Sequence, residues 1–397
     1  MSTYQRLALL DCRDRLAMCS WVAKRGERWS ERQGSCDPLA HGCGPPCRGD
    51  GLGLPLEHDE RTQLMSSIRA LVVREAQDQP SITIEELDPA TLAERPLKVR
   101  VAYSTLNYKD GMVMRGLGRL VRSYPHIPGV DLVGEVIEDA SMTFQPGEWI
   151  IATGYRIGEL YWGGYAQQAT LDPAWAVRLP PALTPRHSMA IGTAGLSAML
   201  AIMALEHMGV QPVNDAPLLV TGAAGGVGSI AVAIASRLGY QVAGSTGRMS
   251  ESDYLTRLGA TTIVPRSDLE TGPERPLESE HWLGCIDSVG GPTLARVLAQ
   301  TRSRGAIASV GLAGGAQFSA SVMPFLLRGV SILGIDSVNA PQTTRTRAWE
   351  RLSELLDRDL LDQLTTEITL DDLPGYADRI LSGQVRGRVV VNLHPGL

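Results

Sequence analysis

The chain has 397 residues, of which 44% are hydrophobic and 20% are charged, a composition typical of a globular protein with two or three domains. Its net charge of −6 gives no general electrostatic reason to expect nucleic acid or a membrane surface as a partner. No apolar stretch approaches the roughly 20 residues of a membrane helix, and no secretory signal is visible, so we expect a cytoplasmic protein.

The N-terminal segment, residues 1–64, differs in character from the rest of the chain. It contains five of the six cysteines and little periodic apolar pattern. We therefore predict a disordered extension. A zinc site built from Cys36, His41, Cys43 and Cys47 is the alternative, but their spacing matches no paired C-x-x-C arrangement.

The next segment, residues 65–188, is predicted to be mainly β-structure. Short β-rich runs alternate with Gly, Pro and Asp turns, as in a barrel-like domain. The predicted strands are Ile68–Val73, Ile82–Glu86, Lys98–Thr105, Leu132–Glu138 and Trp149–Ala152.

From residue 189 the pattern changes to alternating helices and strands. This alternation predicts a doubly wound parallel sheet. Strands are predicted at 218–220, 240–243, 262–264, 283–287, 306–310, 331–335 and 388–391, and helices at 189–208, 229–238, 250–258, from 292, and 344–361.

A glycine-rich turn follows the buried strand at 218–220. Three glycines recur at intervals of three, Gly222, Gly225 and Gly228, and an Ala-rich helix follows. A strand, glycine turn and helix in this order predict a dinucleotide site, because the turn lets backbone N–H groups approach a pyrophosphate. The alternative is a glycine turn without a ligand. The residues predicted to bind the cofactor here are Gly222, Ala223, Ala224, Gly225, Gly226, Val227 and Gly228.

The end of the next strand indicates which cofactor is bound. Ser245, Thr246, Gly247 and Arg248 stand where an NAD site usually has an Asp or Glu for the ribose hydroxyls. Hydroxyls and a guanidinium instead suit a 2′-phosphate. The sequence therefore predicts NADPH.

One rival class is excluded by the lysines. The turn also fits short-chain dehydrogenases, which use a downstream Tyr-x-x-x-Lys pair. This chain has no lysine after Lys109, so that pair cannot exist.

A series of motifs resembles the medium-chain dehydrogenase/reductase superfamily, in its zinc-free quinone-oxidoreductase-like branch, and more narrowly the acryloyl-CoA reductase subfamily. The resemblance covers nearly all of 65–397. It implies a GroES-like catalytic domain (65–188), an inserted Rossmann domain (189–336) and a return to the catalytic domain (337–397). The motifs that carry it include Ser104–Gly111, Pro125–Gly134, Trp162–Gln167, Ile191–Leu200, Ser245–Arg248, Gly311–Gly315, Val322–Arg328, Gly334–Val338 and Gly387–Val391.

The resemblance also assigns site residues. It implies that Asn107 and Tyr108 are catalytic, with amide donors for an enolate oxygen and a phenol to protonate the α-carbon. The alternative for Tyr108 is packing on the nicotinamide, and for Thr193 it is a helix N-cap instead of a cofactor contact. The remaining implied cofactor residues are Arg266, Leu312, Leu326, Ser337, Gln384 and Arg388, with Tyr108 and Thr193.

No metal is expected in residues 65–397. Zinc-bearing relatives place a Cys in the Asn107 loop and a His-Glu pair where this chain has Val130 and Asp131. The only cysteine of this part, Cys285, is expected to pack in the core, and His126 is expected to be structural.

The resemblance implies NADPH-dependent reduction of a short 2-enoyl-CoA, acryloyl-CoA to propanoyl-CoA, by a homodimer. Quinone reduction and a non-catalytic NADPH-binding protein are the alternatives. Coenzyme A carries phosphates, for which Arg115, Arg119 and Arg122 are candidates, although a solvated basic face explains them equally well.

Overall fold

The computed structural model describes residues 67–77 and 79–395. The extension predicted for 1–64, with its four potential zinc ligands, lies outside the described residues. The described part holds three sheets, two of which meet at the candidate site.

The first large sheet has seven strands from both ends of the described chain, in the order β14-β15-β3-β4-β5-β7, with β6 paired to β3. Its apolar side chains pack with those of a separate β1–β2 hairpin into one core. The strands are β1 (Ile68–Arg74), β2 (Ser81–Leu87), β3 (Leu97–Thr105), β4 (Asp131–Asp139), β5 (Trp149–Thr153), β6 (Gln168–Leu171), β7 (Ala176–Arg178), β14 (Thr365–Thr369) and β15 (Arg388–Asn392).

The second large sheet is parallel and has six strands, in the order β10-β9-β8-β11-β12-β13. Its strands are short and mostly apolar, as expected where helices cover a parallel sheet. The strands are β8 (Leu218–Val220), β9 (Val242–Thr246), β10 (Thr262–Pro265), β11 (Gly284–Asp287), β12 (Ala306–Ser309) and β13 (Ser331–Gly334).

Nine α-helices connect and cover these sheets within the described residues. The first and last of these helices pack against each other. The helices are α1 (Tyr108–Met114), α2 (Pro185–His207), α3 (Gly226–Arg237), α4 (Ser252–Arg257), α5 (Gly291–Gln300), α6 (Met323–Arg328), α7 (Gln342–Leu355), α8 (Arg358–Gln363) and α9 (Leu373–Leu381).

This architecture confirms the predicted fold class, an α/β protein with a β-rich domain and an inserted doubly wound parallel sheet. The last strand, β15, pairs with β3, so the chain returns to the first sheet after the parallel sheet is complete. The predicted domain boundaries at 188/189 and 336/337 stay predictions.

Helix α2 corrects one expectation. It has 23 residues, and its most apolar 18-residue window has a mean hydropathy of 1.8, so by length and composition it could span a membrane. Its most apolar window is 83% buried inside the protein, which identifies α2 as a core helix. The helix is also interrupted, because Gly192 has φ 52° and ψ −159°.

Two further boundaries differ from the sequence prediction. Strand β9 is displaced toward the C-terminus, so Ser245 and Thr246 belong to the strand and not to the turn after it. The helix predicted at 344–361 is two helices, α7 and α8. Asp357 interrupts it, since its carboxylate accepts a hydrogen bond from Leu360 N (2.8 Å) and caps α8.

Candidate active site and cofactor site

The glycine turn joins β8 to α3 at the carboxyl edge of the parallel sheet, where open α/β sheets bind their ligands. Gly222 has φ 60°, and a Cβ there would lie 2.5 Å from Ser288 Oγ. A Cβ on Gly228 would lie 2.3 Å from Gly222 O, so this glycine lets the helix start approach the turn closely. These two positions therefore require glycine.

The start of α3 offers unpaired donors. Within the described residues, the backbone N–H groups of Gly226, Val227 and Gly228 make no hydrogen bond, whereas Ser229 N bonds Gly225 O. Ala223 N donates to Ser245 O (2.9 Å), and this bond fixes the turn against β9. The free N–H groups and the helix dipole suit a pyrophosphate, so the turn fits the predicted cofactor.

The end of β9 has the chemistry expected for a 2′-phosphate. Arg248 N donates to Thr246 Oγ1 (3.1 Å), and Ser245 is buried in the strand. The Arg266 guanidinium lies directly against Gly247, since a Cβ there would be 2.4 Å from Arg266 Nη2. The structure thus brings Gly247, Arg248 and Arg266 together, as the sequence predicted.

The C-terminal loop before β15 contacts the glycine turn. Gly387 N donates to Ala224 O (3.1 Å), and Arg248 Nη2 donates to Val385 O (3.1 Å). Gln384, one of the predicted cofactor residues, is exposed on this loop. The loop therefore lies beside the place where the cofactor's phosphates are expected.

Arg388 is fully buried where the two large sheets meet. Its Nε donates to Ala190 O (3.0 Å), and its Nη1 donates to Asn107 Oδ1 (3.2 Å). Its Nη2 is buried without a hydrogen-bond partner among the described residues, and Nη1 would lie 3.0 Å from a Cβ on Gly226. Burial lowers the pKa of Arg388, and the nearby carboxylates oppose that shift. The unused Nη2 lies beside Gly192, where a Cβ would be 2.8 Å away, and Nη1 lies beside Gly226 at the start of α3, so the positive charge of Arg388 is next to the glycine turn.

The Asn107 side chain is fully engaged within the protein. Its Nδ2 donates to Thr105 Oγ1 (2.7 Å) and to Asp131 Oδ2 (2.9 Å), while its Oδ1 accepts from Arg388. The reverse orientation would face the amide oxygen with a carboxylate and the amide nitrogen with a guanidinium, so the partners fix the orientation. Both amide hydrogens are therefore used, which differs from the predicted donor role toward an enolate.

Asp131 links the two halves of the site. Its carboxylate accepts from Thr105 Oγ1 (2.6 Å) and from both Thr193 N (2.9 Å) and Thr193 Oγ1, besides Asn107. Thr193 begins the second segment of α2, after the interruption at Gly192. The cap of this segment is thus the Asp131 carboxylate, and not the Thr193 hydroxyl that the sequence alternative named.

Asp110 lies in the first turn of α1 and is fully buried. Its carboxylate accepts from three backbone groups, Asn107 N (2.8 Å), Val130 N (3.0 Å) and Gly129 N (3.2 Å). Burial raises the pKa of Asp110 to about 7, and the charge of Asp131 adds to this, although the three N–H donors oppose it.

Tyr108 is the exposed member of this group. It is the first residue of α1, and 42% of it is exposed. Its hydroxyl makes no hydrogen bond to any of the residues that the structure describes. Hydrogen bonds of Asn107 and Asp110 hold the backbone next to Tyr108. The phenol is therefore accessible, while the backbone that carries it is fixed.

The other predicted cofactor residues are spread around this centre. Ser337 Oγ accepts a hydrogen bond from Ser197 Oγ (2.9 Å), which also bonds Thr193 O (2.8 Å), so Ser337 adjoins the start of the second α2 segment. Leu312 and Leu326 are 59% and 73% exposed.

Two residues named for structural roles have them. His126 is buried and its Nε2 lies 3.0 Å from Gly158 O, while burial lowers its pKa. Cys285 is a free, buried thiol in the core around the parallel sheet. Within the described residues, no group of three or more His, Cys, Asp or Glu side chains is arranged to hold a metal ion.

The three candidate arginines for coenzyme A differ from one another. Arg115 forms a two-pronged ion pair with Asp378, Nε–Oδ1 2.7 Å and Nη2–Oδ2 2.8 Å. Arg119 and Arg122 are exposed and make no ion pair with a described residue. Arg115 is therefore committed to a structural contact.

Sequence reasoning missed the central position of Asp131. Asp131 lies in the Pro125–Gly134 motif that supports the family resemblance, but the residue itself was considered only as a replacement for a zinc ligand. The partners of Asp131, Thr105 and Thr193, are 26 and 62 residues away along the chain.

Two family profiles match separate parts of this chain. The family profile of the alcohol dehydrogenase GroES-like domain matches residues 94–181. The profile of the zinc-binding dehydrogenases matches residues 226–354.

Full-length relatives cover residues beyond these profiles. The acrylyl-CoA reductase AcuI of Ruegeria pomeroyi is 50% identical over 82% of this chain and 99% of its own length. The crystal structure of Escherichia coli K-12 YhdH with bound NADPH is 42% identical, covers 82% of this chain and 100% of that one, and has a TM-score of 0.79.

A third relative has a different name and cofactor. The putative quinone oxidoreductase YhfP of Bacillus subtilis is 40% identical over 82% of this chain and 98% of its own length. Its crystal structure, with NAD bound, has a TM-score of 0.79 and covers 82% of this chain and 99% of that one.

Proposed function

This chain belongs to the medium-chain dehydrogenase/reductase superfamily, and we propose that it catalyses the NADPH-dependent reduction of a short 2-enoyl-CoA, acryloyl-CoA to propanoyl-CoA. The superfamily and the acryloyl-CoA reductase resemblance inferred from the motifs are confirmed by the full-length relatives. The reaction class is that of an oxidoreductase acting on a carbon–carbon double bond.

The observation that carries the proposal is the accessible Tyr108 phenol at the meeting point of the two sheets. Asn107 beside it is tied to Arg388, whose guanidinium lies under the glycine turn. Asn107 is also tied to Asp131, which holds the α2 segment starting at Thr193. A proton donor is thereby fixed relative to the elements expected to hold the cofactor.

The cofactor residues follow from this arrangement. When bound, NADPH supplies a hydride to the β-carbon of the enoyl thioester. We assign the pyrophosphate to the turn from Gly222 to Gly228, with the charge of the Arg388 guanidinium beside Gly226 as additional support. The 2′-phosphate is assigned to Ser245, Thr246, Gly247, Arg248 and Arg266. Tyr108, Thr193, Leu312, Leu326, Ser337 and Gln384 complete the proposed set.

Tyr108 is assigned as the proton donor to the α-carbon. The thioester oxygen gains negative charge as the α-carbon becomes nucleophilic, and the Tyr108 Oη–H bond breaks as the new C–H bond forms. The exposed hydroxyl then recovers its proton from water. Asn107 acts by positioning, because both of its amide hydrogens are held by Thr105 and Asp131.

Quinone reduction is the second candidate, supported by the 40% identity to a putative quinone oxidoreductase. The two are separated by NADPH oxidation with acryloyl-CoA, crotonyl-CoA and a benzoquinone measured side by side. We expect the acryloyl-CoA rate to exceed the quinone rate by at least tenfold at equal concentration. A benzoquinone rate above the acryloyl-CoA rate would reject the proposal.

A homodimer is part of the proposal. Strand β13 is an edge strand of the parallel sheet, and helix α6 beside it exposes Phe325, Leu326 and Leu327 by 38–73%. An unpaired edge next to an apolar surface favours association with a second copy. Sedimentation equilibrium should give twice the chain mass, and Leu327→Glu should lower it. A monomer at micromolar concentration would reject the dimer.

Two further expectations belong to the same proposal. NADPH and CoA thioesters are the small molecules of the reaction, so we place the protein in the cytoplasm, which cell fractionation tests.

We also propose that no metal takes part, since the described residues offer no ligand set. Exhaustive chelation should leave activity unchanged, and zinc that is removed together with activity would reject this.

A further inference from the structure

Three charged side chains meet beside Tyr108 and are not used by the proposed mechanism. Lys109 Nζ lies 2.9 Å from Glu159 Oε1, and Arg156 Nη2 lies 3.5 Å from Glu159 Oε2. The Glu159 side chain is only 5% exposed, whereas Lys109 and Arg156 are 43% and 44% exposed. Two half-exposed cations thus share one buried carboxylate. Asp336 is also near Lys109, since the pKa of Asp336 is lowered by hydrogen bonds from Asn339 and also by the charge of Lys109.

The backbone that carries Arg156 is unusual. Tyr155, Arg156 and Gly158 all have positive φ, at 49°, 63° and 73°. Residues other than glycine adopt this conformation at a cost of about 1 kcal/mol or more, and such residues concentrate at functional sites. Gly158 cannot carry a side chain, because a Cβ would lie 2.7 Å from the backbone of Gly129.

Contacts with residues 337–342 hold the segment from Gly154 to Gly158 in place. Tyr155 N donates to Val338 O (3.0 Å), and the Tyr155 hydroxyl donates to Gln342 Oε1 (3.0 Å). A Cβ on Gly154 would lie 2.9 Å from Ser337 O, so the segment adjoins a proposed cofactor residue. Lys109 follows Tyr108 directly. The two cations therefore stand at the rim of the proposed active site.

We propose that Lys109 and Arg156, held in place by Glu159, bind the phosphate groups of coenzyme A when the thioester enters the site. The inference rests on the proposed function, since it takes a CoA thioester as the substrate. A buried carboxylate between two cations reduces the side-chain freedom that phosphate binding would otherwise restrict, so the pair is organised before the ligand arrives.

Two other cations of the site are assigned to the cofactor, and a third is occupied by an ion pair. Arg248 and Arg266 lie at the end of β9, on the parallel sheet, where the 2′-phosphate is expected. Arg115 is paired with Asp378. Lys109 and Arg156 belong to the segments around α1 and β5, on the substrate side, so their phosphate is expected to come from CoA and not from NADPH.

The test uses Lys109→Gln, Arg156→Gln and the double variant in the full chain. Arg257→Gln is the control, since Arg257 is an exposed arginine on α4 without an ion pair to a described residue. The measurements are KM and kcat for acryloyl-CoA and for acryloyl-pantetheine, which lacks all phosphates, and KM for NADPH. Calorimetric binding of CoA, 3′-dephospho-CoA and pantetheine gives a second readout that does not depend on turnover.

We expect each single variant to raise KM for acryloyl-CoA and to weaken CoA binding by about threefold to tenfold, because each removes one partly exposed charged contact. The double variant should show a larger loss. Values for acryloyl-pantetheine and NADPH should stay within about twofold of the parent protein, as should all values for Arg257→Gln. A smaller loss for 3′-dephospho-CoA than for CoA would assign the pair to the 3′-phosphate.

Several results would overturn the inference. Unchanged CoA binding in the double variant would do so, and so would a weaker binding of NADPH alone. Equal losses for acryloyl-CoA and acryloyl-pantetheine would show that the substitutions disturb Tyr108 instead of a phosphate site. A parent protein that binds CoA but does not reduce acryloyl-CoA would reject the proposed function and leave the phosphate assignment standing.

Discussion

The two ends of the proposed cofactor site are built in opposite ways. At the junction under Tyr108, the side chains of Asp110, Asp131 and Arg388 are buried and bonded mainly to other protein groups. At the end of β9, Gly247 is exposed, and Arg248 and Arg266 are partly exposed. One end is a closed polar network, and the other is an open surface.

This difference determines what a substitution does. In a closed network each polar group is a partner of another, so removing one leaves a buried group unsatisfied and changes the fold of the site. On the open surface, solvent replaces a lost partner, so a substitution changes ligand affinity with little effect on stability. Substitutions at the two ends should therefore separate a loss of stability from a loss of ligand affinity.

The largest effect is expected for Gly192→Ala. Gly192 has a backbone conformation that is essentially restricted to glycine, and a Cβ would lie 2.7 Å from Asp131 Oδ2 and 2.8 Å from Arg388 Nη2. We expect a loss of about 3 kcal/mol or more in the free energy of unfolding, measured by denaturant titration, because neither buried group can move away.

Gly209→Ala is the matched control. Gly209 also has a positive φ, 79°, but nothing lies within 4 Å of the Cβ position. Its cost should be limited to the backbone term of about 1 kcal/mol. Equal losses for the two variants would mean that the network around Asp131 adds nothing to the backbone cost.

Tyr108→Phe is expected to lower kcat by about 10²-fold, because it removes the proposed proton donor and keeps the ring. The melting temperature and the Kd for NADPH should stay close to those of the parent, since the Tyr108 hydroxyl makes no hydrogen bond to a described residue. Near-normal turnover, measured by NADPH oxidation with acryloyl-CoA, would favour the alternative that Tyr108 only packs on the nicotinamide.

Arg248→Ala tests the open end. It should weaken NADPH binding by about tenfold to a hundredfold, since a charge-assisted contact is worth about 1.5–3 kcal/mol, and leave NADH binding nearly unchanged. Fluorescence titration of both cofactors measures the difference.

Arg257→Ala provides the control for Arg248→Ala, because Arg257 is an exposed arginine on α4. It should affect neither cofactor. If Arg248→Ala weakens both cofactors equally, the bond from Arg248 to Val385 O is the more important one, and the 2′-phosphate is held elsewhere.

The two ends of the site also differ in how well the sequence could predict them. The glycine turn and the end of β9 are local, since their residues are neighbours in the chain, and both were found from spacing alone. Arg388 and Asn107 are 281 residues apart, and nothing in their spacing indicates that they are bonded. The engaged state of the Asn107 amide, which changes its proposed role from donor to positioning residue, therefore required the structure.

Secondary structure shows the same limit. The apolar run at 218–220 matches β8, and the first strands match to within two residues, because alternation in these segments reflects burial. Helices α1, α6 and α9 were missed, as all three are shorter than ten residues and have no long apolar period. The break in α2 at Gly192 was also missed, because Asp131, which caps the second segment, lies 62 residues away from Thr193.

The smallest effect, taken per pH unit, concerns the charge buried in the closed network. Burial raises the pKa of Asp110 to about 7 from an unfolded value of 3.8, so between these pH values the folded state holds a proton that the unfolded state releases. The free energy of unfolding should therefore fall as pH rises from 4 to 7, by at most about 1.4 kcal/mol per pH unit, and be constant above 7. Asp110→Asn cannot titrate, so the difference in stability between parent and variant should follow this decline.

Asp139→Asn supplies the opposite sign on a carboxylate outside the network. The pKa of Asp139 is lowered, because hydrogen bonds from Ser141, Phe144 and Thr143 together outweigh the effect of burial. Its contribution to stability is present above the unfolded pKa and is lost as pH falls through the lower folded pKa. The parent–variant difference should thus increase with pH for Asp139→Asn and decrease for Asp110→Asn. If the Asp110 difference is flat from pH 4 to 7, the three backbone donors compensate the burial of its charge, and the network is less closed than its geometry indicates.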